Sequence, residues 1–339
     1  MIAERLTAQL LAGPRASDPM AVTNRLLAVA SQDLRGARLA IRARTEALTA
    51  ADVDHALTAD RSLVVSWLNR GTLHMVRSED YPWLHALMTP SRFTANARRL
   101  REEGVTPEAA ECGVAVIERS LAEDGPLSRA QLGERIAAAG VRTEGQALVH
   151  VLMLASLRGL IVRGPIIGGE HAYVLVRDWL GKGMPVDRDR ALAELARRYL
   201  VGHGPADAPD LAKWAGLSLR DARAGYTAIA AELETRADGL VDLAARPPAA
   251  PLPTPRLLGP FDPLLLGWRS RSWVLDSHEA TVVRSGMIRP IALVGGRAAA
   301  TWTLPANEVV FEPFRRLARK DATALEADAA DVVRYLGGT

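Results

Sequence analysis

The sequence predicts an α+β fold: tandem winged helix-turn-helix units followed by a C-terminal part that reads as a small antiparallel sheet or barrel. Three observations carry this. Helix, glycine break and second helix recur three times at a spacing of roughly 70 residues, sharing pattern but not sequence. A proline-rich stretch, ARPPAAPLPTPRLLGPFDP (245–263), then separates this array from something different. Beyond it, LLLGWRSRSWVLD, MIRPIALVGGRAAATWTL and NEVVFEPF alternate apolar and polar residues at the β period.

The elements follow in order. In residues 1–104 a short amphipathic helix from Ile2 to Leu11 breaks at Gly13-Pro14, and a second helix carries Val22, Leu26, Leu27 and Val29 on one face. In LTAADVDHAL, Thr49 with Asp52 forms a capping-box variant that starts another helix. RSLVVSWLNRGTLHMV then runs as helix or strand through Arg70-Gly71 into a strand in which Leu73 and Met75 alternate with Thr72 and His74. Residues 105–186 repeat the plan. A helix from Pro107 to Glu123 stops at Gly125-Pro126, Ser128 and Gln131 cap the next, and Thr143 with Gln146 opens a third. IVRGPII and HAYVLV, joined through Gly168-Gly169, read as the hairpin of a wing. Residues 187–246 hold the tightest helix-turn-helix pattern, with a stop near Gly216 and a cap at Ser218 supported by Asp221. In residues 247–339 a hairpin turns at Gly295-Gly296, and a helix from Ala322 to Leu336 closes the chain.

At 339 residues with 48% hydrophobic and 24% charged residues, the chain is long enough for several packed domains and is not a disordered one. The net charge of +3 is small, yet the cations are nearly all arginine: the lysines are Lys182, Lys213 and Lys320. Arginine suits phosphate and base edges, but alanine, which binds nothing, is more abundant still, so a GC-rich coding bias accounts for the totals and position must decide function. Cys112 is the lone cysteine, which excludes an intrachain disulfide or a thiolate cage. No apolar run reaches the roughly 18 residues of a membrane span, and Glu4 and the early break make a poor signal peptide, so a cytoplasmic location is expected.

Strong catalytic signatures are absent. There is no Gly-x-Ser-x-Gly elbow, phosphate-binding Walker loop, dinucleotide fingerprint or His-Glu-x-x-His. The seven histidines are scattered, so neither a metal nor a cofactor is expected.

LLAVASQDLRGARLAIRAR (26–44), TAADVDHAL, SWLNRGTLHMVRSEDYPWL, DLAKWAGL and FDPLLLGWRSRS occur in an order that resembles the AlkZ/YcaQ family of bacterial DNA glycosylases along nearly the whole chain. The resemblance implies tandem winged-helix domains with a C-terminal β-barrel, so the last segment is expected to be β-barrel-like. It implies double-stranded, damaged DNA as the partner of a monomer associated with the nucleoid. It also implies that a Gln-x-Gln or Gln-x-Asp motif in the first winged-helix domain carries catalysis. Gln32 falls on the second motif position, with Asp33 beside it, whereas Ala30 stands where the first glutamine is expected and Ser31 between them. Gln32, Asp33 and Ser31 are therefore the candidate catalytic residues. The resemblance places the strand at Arg70, Thr72 and His74 beside the active cleft; with Arg35 and Arg38, and with Arg269 and Arg271 near the end, these are the candidate DNA contacts. The activity implied is release of bases alkylated at N7 of guanine or N3 of adenine, bulky adducts and crosslinks included. The competing reading is a DNA-binding regulator or lesion binder without catalysis. The plain structural reading is that Gln32 and Asp33 are helix-end residues near a C-terminus, that Arg70 pairs with a carboxylate such as Asp80, and that at least half of Arg35, Arg38, Arg42 and Arg44, which otherwise line the cleft, face solvent; Asp262 positions a loop of the barrel.

Overall fold

Helix α1 (Ile2–Ala8) buries Leu6 and Ala8. Helix α2 (Pro19–Leu26) starts where Asp18 accepts a hydrogen bond from the Ala21 amide and proline occupies the first turn, where a missing N–H costs nothing. It stops at Leu27, whose φ of 65° lies outside the helical region. The apolar face expected to continue through Val29 is thus broken: Val29–Ala30 is extended (β1), and a new helix, α3 (Leu34–Arg42), begins after Asp33. Gln32 and Asp33 precede a helix and do not close one. Helix α4 (Ala50–Thr58) begins at Thr49, whose amide and hydroxyl both donate to Asp52, at 2.7 and 2.9 Å.

The structure is a computed structural model; it describes residues 1–337 apart from Lys182 and Met184. The chain forms two compact units, one of residues 54–191 and one of residues 1–53 with 192–339.

In the unit of residues 54–191, β2 (Leu63–Trp67) and β3 (Leu73–Arg77) make an antiparallel hairpin with Ser66 opposite His74. Helices α5 (Tyr81–Met88), α6 (Phe93–Glu102), α7 (Pro107–Asp124), α8 (Arg129–Ala138) and α9 (Ala147–Leu157) follow, then β4 (Ile161–Ile167), β5 (Glu170–Leu175) and the single turn α10 (Val176–Trp179). Within the unit the strands run β3-β2-β4-β5, all antiparallel. Ile117, Leu132, Ile136 and Val151 of α7, α8 and α9 are fully buried. Gly113 lets α7 approach α9, since a Cβ there would lie 2.8 Å from Val151. The Ser128–Gln131 capping box forms. The one expected at Thr143 does not: Gly145 turns the chain at φ 62°, α9 starts only at Ala147, and the Gln146 amide donates to Glu103.

In the other unit α11 (Arg188–His203), α12 (Ala208–Ala215) and α13 (Leu219–Ala228) lead into a short hairpin, β6 (Leu233–Thr235) with β7 (Val241–Leu243). Gly216 ends α12 in the left-handed conformation at φ 73°, and the Ser218 hydroxyl accepts from the Asp221 amide to start α13. After β8 (Arg256–Leu258) come two single turns, α14 (Ser272–Leu275) and α15 (Glu279–Val282). They lead to the hairpin β9 (Val283–Arg284) with β10 (Met287–Ile288), then β11 (Ile291–Val294), β12 (Arg297–Thr303), β13 (Val310–Pro313) and α16 (Arg319–Tyr335).

The expected C-terminal β-barrel is not formed. The strands make an open sheet in the order β13-β12-β11-β8, and the two edges do not meet. Closure needs enough staggered strands to bring the edges together, and four strands, of which β8 has three residues and β11 four, are too few. The β8 edge is covered instead by α16: the Leu257 amide, which a further strand would have taken, donates to Asp328 at 2.7 Å. Leu39 of α3 packs into this region with Leu257, Ala292, Ala300, Trp302, Leu325 and Val332.

Candidate functional site

The site predicted at residues 30–33 lies at the start of α3. The Asp33 carboxylate accepts from the amides of Arg35, at 3.3 Å, and Gly36, at 3.0 Å, which satisfies two of the donors that every helix leaves open at its N-terminus. Gln32 is exposed, and among the described residues its amide has no hydrogen-bond partner. Ser31 is buried, 3% exposed, and its Oγ also lacks a partner. Ala30 is buried as well and offers nothing polar. Arg35 is exposed on the first turn, whereas Arg38 is half-buried and already engaged.

The far end of α3 is anchored in the interior. Arg42 donates to Asp331 and to Asp328, each at 2.9 Å, and to the Leu257 carbonyl at 3.2 Å. Its neighbours in charge outweigh its burial and hold its pKa above the ordinary arginine value. Arg44 is 0% exposed and grips the equally buried Asp262 through both terminal nitrogens, at 2.9 and 2.8 Å. Of the four arginines at 35, 38, 42 and 44, these two do not face solvent: both are buried and held by partners more than 200 residues away in the chain. Asp262 also accepts from the Leu264 amide at 2.9 Å, so it organises its own loop and locks α3 at once. Gly36 makes the contact close: a Cβ there would lie 2.8 Å from the Pro260 carbonyl oxygen.

In the unit of residues 54–191, Arg70 sits in the turn between β2 and β3 with φ 56°, followed by Gly71 at φ 73°. Such a conformation in arginine costs of order 1 kcal/mol or more and marks a constrained turn. Arg70 is half-buried and engaged. Asp80, its expected partner, accepts from Arg77 Nε at 2.7 Å and Trp83 Nε1 at 3.1 Å. Thr72 Oγ1 donates to the Asn69 carbonyl at 2.9 Å. His74 is 2% exposed, and its Nδ1–H donates to the Thr72 carbonyl at 3.0 Å. Burial, reinforced by the Arg70 charge, pushes its pKa down to about 3, so it is neutral at physiological pH and brings no positive charge to a phosphate. Sequence reasoning missed Asn69 in the same turn. It is 0% exposed, and neither amide atom of its side chain has a partner. An asparagine before Arg-Gly reads as ordinary turn chemistry, so no local signal separates it.

His203, in the other unit, is likewise buried and pushed down to about 3, chiefly by desolvation. For both histidines the folded value lies below the ordinary 6.5. The neutral form is therefore the native one: stability is fully present above the unfolded pKa and is lost as pH falls toward the folded one. Each should cost roughly 2 kcal/mol of stability by pH 5. Urea midpoints at pH 7 and pH 5 test this, with His74→Gln expected to shrink the difference; an unchanged difference would refute the assignment to His74.

Near the C-terminus, Arg269 pairs with Asp207 at 2.8 Å and with Asp210 at 3.4 Å. Arg271 donates to the Leu265 carbonyl at 2.6 Å and to Glu279 at 3.0 Å. Among the described residues no cluster of three or more histidine, cysteine or acidic side chains is placed to hold a metal ion, and no helix is long and apolar enough to cross a membrane.

Three-helix elements that lead into hairpins, α7–α9 into β4–β5 and α11–α13 into β6–β7, define a class: the winged-helix proteins, a fold suited to docking on DNA. Residues 23–335 match the family described as DNA glycosylase AlkZ-like, and the chain belongs to that family. It is 30% identical to an interstrand DNA cross-link repair glycosylase of Streptomyces sahachiroi over 96% of this chain and 91% of that protein. Its structure is similar to that of the Streptomyces sahachiroi DNA glycosylase AlkZ, with a TM-score of 0.82 and 26% identity, covering 99% of this chain and 96% of that one.

Proposed function

We propose that the protein is a DNA-repair glycosylase that hydrolyses the N-glycosidic bond of nucleotides alkylated at N7 of guanine or N3 of adenine, bulky and crosslinked lesions included. The observation that carries this is the exposed, unpartnered amide of Gln32 at the start of α3, in a chain of the AlkZ-like family. Alkylation at these positions makes the base cationic. It therefore leaves with the glycosidic electron pair as a neutral molecule and needs little acid catalysis. The enzyme must hold a water and stabilise positive charge on the sugar. In this reading Gln32 accepts from the water and fixes its line of attack on C1′. Asp33, fixed by the two helix amides, offsets charge on the sugar and takes the water's proton. Ser31, whose buried Oγ has no partner among the described residues, is the third residue of the proposed catalytic segment. Arg35, Arg38, Arg70 and Thr72, with Arg269 and Arg271, are the proposed DNA contacts, with His74 a neutral support of the Arg70 turn. The segments 1–104, 105–186 and 187–246 serve as the winged-helix units, and 247–339 follows them.

One observation favours the second reading, DNA binding without catalysis: Ala30, at the position where a glutamine is expected, is buried and apolar. Single-turnover base release from a duplex with one N7-methylguanine separates the two. Free base with an abasic site supports hydrolysis; tight binding without release supports the lesion binder.

Salt dependence tests the contacts. Arg35→Ala should reduce the slope of log affinity against log salt by about one. Arg271→Ala should reduce it less, because Glu279 already neutralises that guanidinium. Equal slopes in wild type and Arg35→Ala would remove Arg35 from the interface.

A further inference from the structure

A cavity of about 390 Å³ opens beside Asp33 and Arg35 and is walled by the C-terminal sheet and its loops. Its interior is apolar. Leu39 of α3, Phe261, Met287 and Ile288 line it, with Trp302 near the end of β12 and Leu304 just after it. Trp302 is pinned, since its indole N–H donates to the Leu258 carbonyl at 3.0 Å. Phe261 follows the Gly36–Pro260 contact with a φ of 57°, so the wall and the start of α3 are fixed to each other. Met287, on the β9–β10 hairpin, is 59% exposed, a large apolar side chain left in water at the mouth. The charged residues of the lining are Asp33, Arg35 and Arg289, the last paired with Glu312.

We propose that this cavity is the subsite for the apolar or aromatic substituent carried by the lesion base. The proposal rests on the glycosylase reading of the Gln32 site and deepens it. Asp33 is adjacent in sequence to Gln32 and lines the cavity, so a base presented to Gln32 projects its substituent toward this space. A closed apolar cavity of about 150 Å³ holds a benzene ring. This one is more than twice as large and open on one side, a fit for a ring-sized group tethered to DNA and a poor fit for a methyl group. Arg35, exposed and on the cavity lining, complements the phosphates that flank any such lesion. The walls discriminate through the apolar area they can cover, and a pocket of this kind is worth about 10- to 100-fold between substituents.

The test compares duplexes carrying N7-benzylguanine and N7-methylguanine, with wild type and Thr303→Trp. Thr303 is exposed at the cavity wall, so the substitution fills the cavity without disturbing a core. Wild type should release benzylguanine about 10- to 100-fold more efficiently; Thr303→Trp should lose that preference and keep its methylguanine rate. Met287→Glu repeats the test with charge in place of bulk. Equal efficiency on both lesions in wild type, or a preference that survives both variants, overturns the proposal. If wild type releases neither base, the glycosylase reading fails separately. Binding to duplexes whose lesion sugar carries a 2′-fluorine, which blocks release, then reads the cavity: tighter binding of the benzyl lesion, lost in Thr303→Trp, upholds the subsite, and equal binding rejects it.

Discussion

Gln32→Ala should lower single-turnover release of an alkylated base by about 10²-fold or more while leaving affinity for the lesion duplex nearly unchanged. The size follows from what the amide does. Gln32 is outside the core and no folded contact depends on it, so its removal costs no packing. What is lost is the group that holds the water in line, an interaction made chiefly as the bond breaks. With Ala30 apolar, no second amide stands at the expected partner position to share the task. Gln32→Glu is the informative companion, because it keeps an acceptor oxygen and replaces the N–H donors with a second, charged acceptor. A full rate in Gln32→Ala would exclude Gln32 from the chemistry.

Asp262→Ala should destabilise its unit by about 3–5 kcal/mol, the cost of leaving a buried charge without its partner. Arg44 is 0% exposed and has no route to water when the carboxylate is gone. The Leu264 amide loses its acceptor in the same substitution. Chemical denaturation measures the loss, with exposed Arg316→Ala as a control expected to stay within about 0.5 kcal/mol. A cost for Asp262→Ala no larger than the control's would show that the pair does not hold α3. Where the variant still folds, the Gln32 assay should also slow, since the same contact fixes the helix that begins beside Gln32.

Much of the local structure was legible because its causes are local. Thr49 with Asp52, Ser128 with Gln131 and Ser218 with Asp221 start helices through hydrogen bonds three residues apart, and Gly295-Gly296 turns a hairpin with φ of 57° and 79°. Features set by distant partners were not legible. Leucine at position 27 gives no hint of a positive φ, and that turn moved Gln32 and Asp33 from the supposed end of one helix to the start of the next. The hairpin β6–β7 had only Asp238-Gly239 to announce it. Period-two alternation left sheet or barrel open, because it reports that a strand has two faces and says nothing of whether the outer strands meet; the barrel came from the family resemblance, and the sheet is open. The candidate site was located through family resemblance; the exposure of Gln32, the helix-capping role of Asp33 and the burial of Ser31 needed the fold.

Arg44 places five hydrogen bonds from one planar group: to the carbonyl and side-chain oxygen of Gln9, to the Ala40 carbonyl and to both oxygens of Asp262. Lysine, with three donors on a single nitrogen, cannot reach that set from one point. An exposed arginine such as Arg316 can drift to lysine and back under mutation without consequence for the fold. Arg42 and Arg44 cannot, so the chain carries two populations of the same residue, one interchangeable and one fixed. A lineage moving toward lysine-rich proteins would be free to recolour the surface, and would be stopped at the two positions that hold the helix of the candidate site.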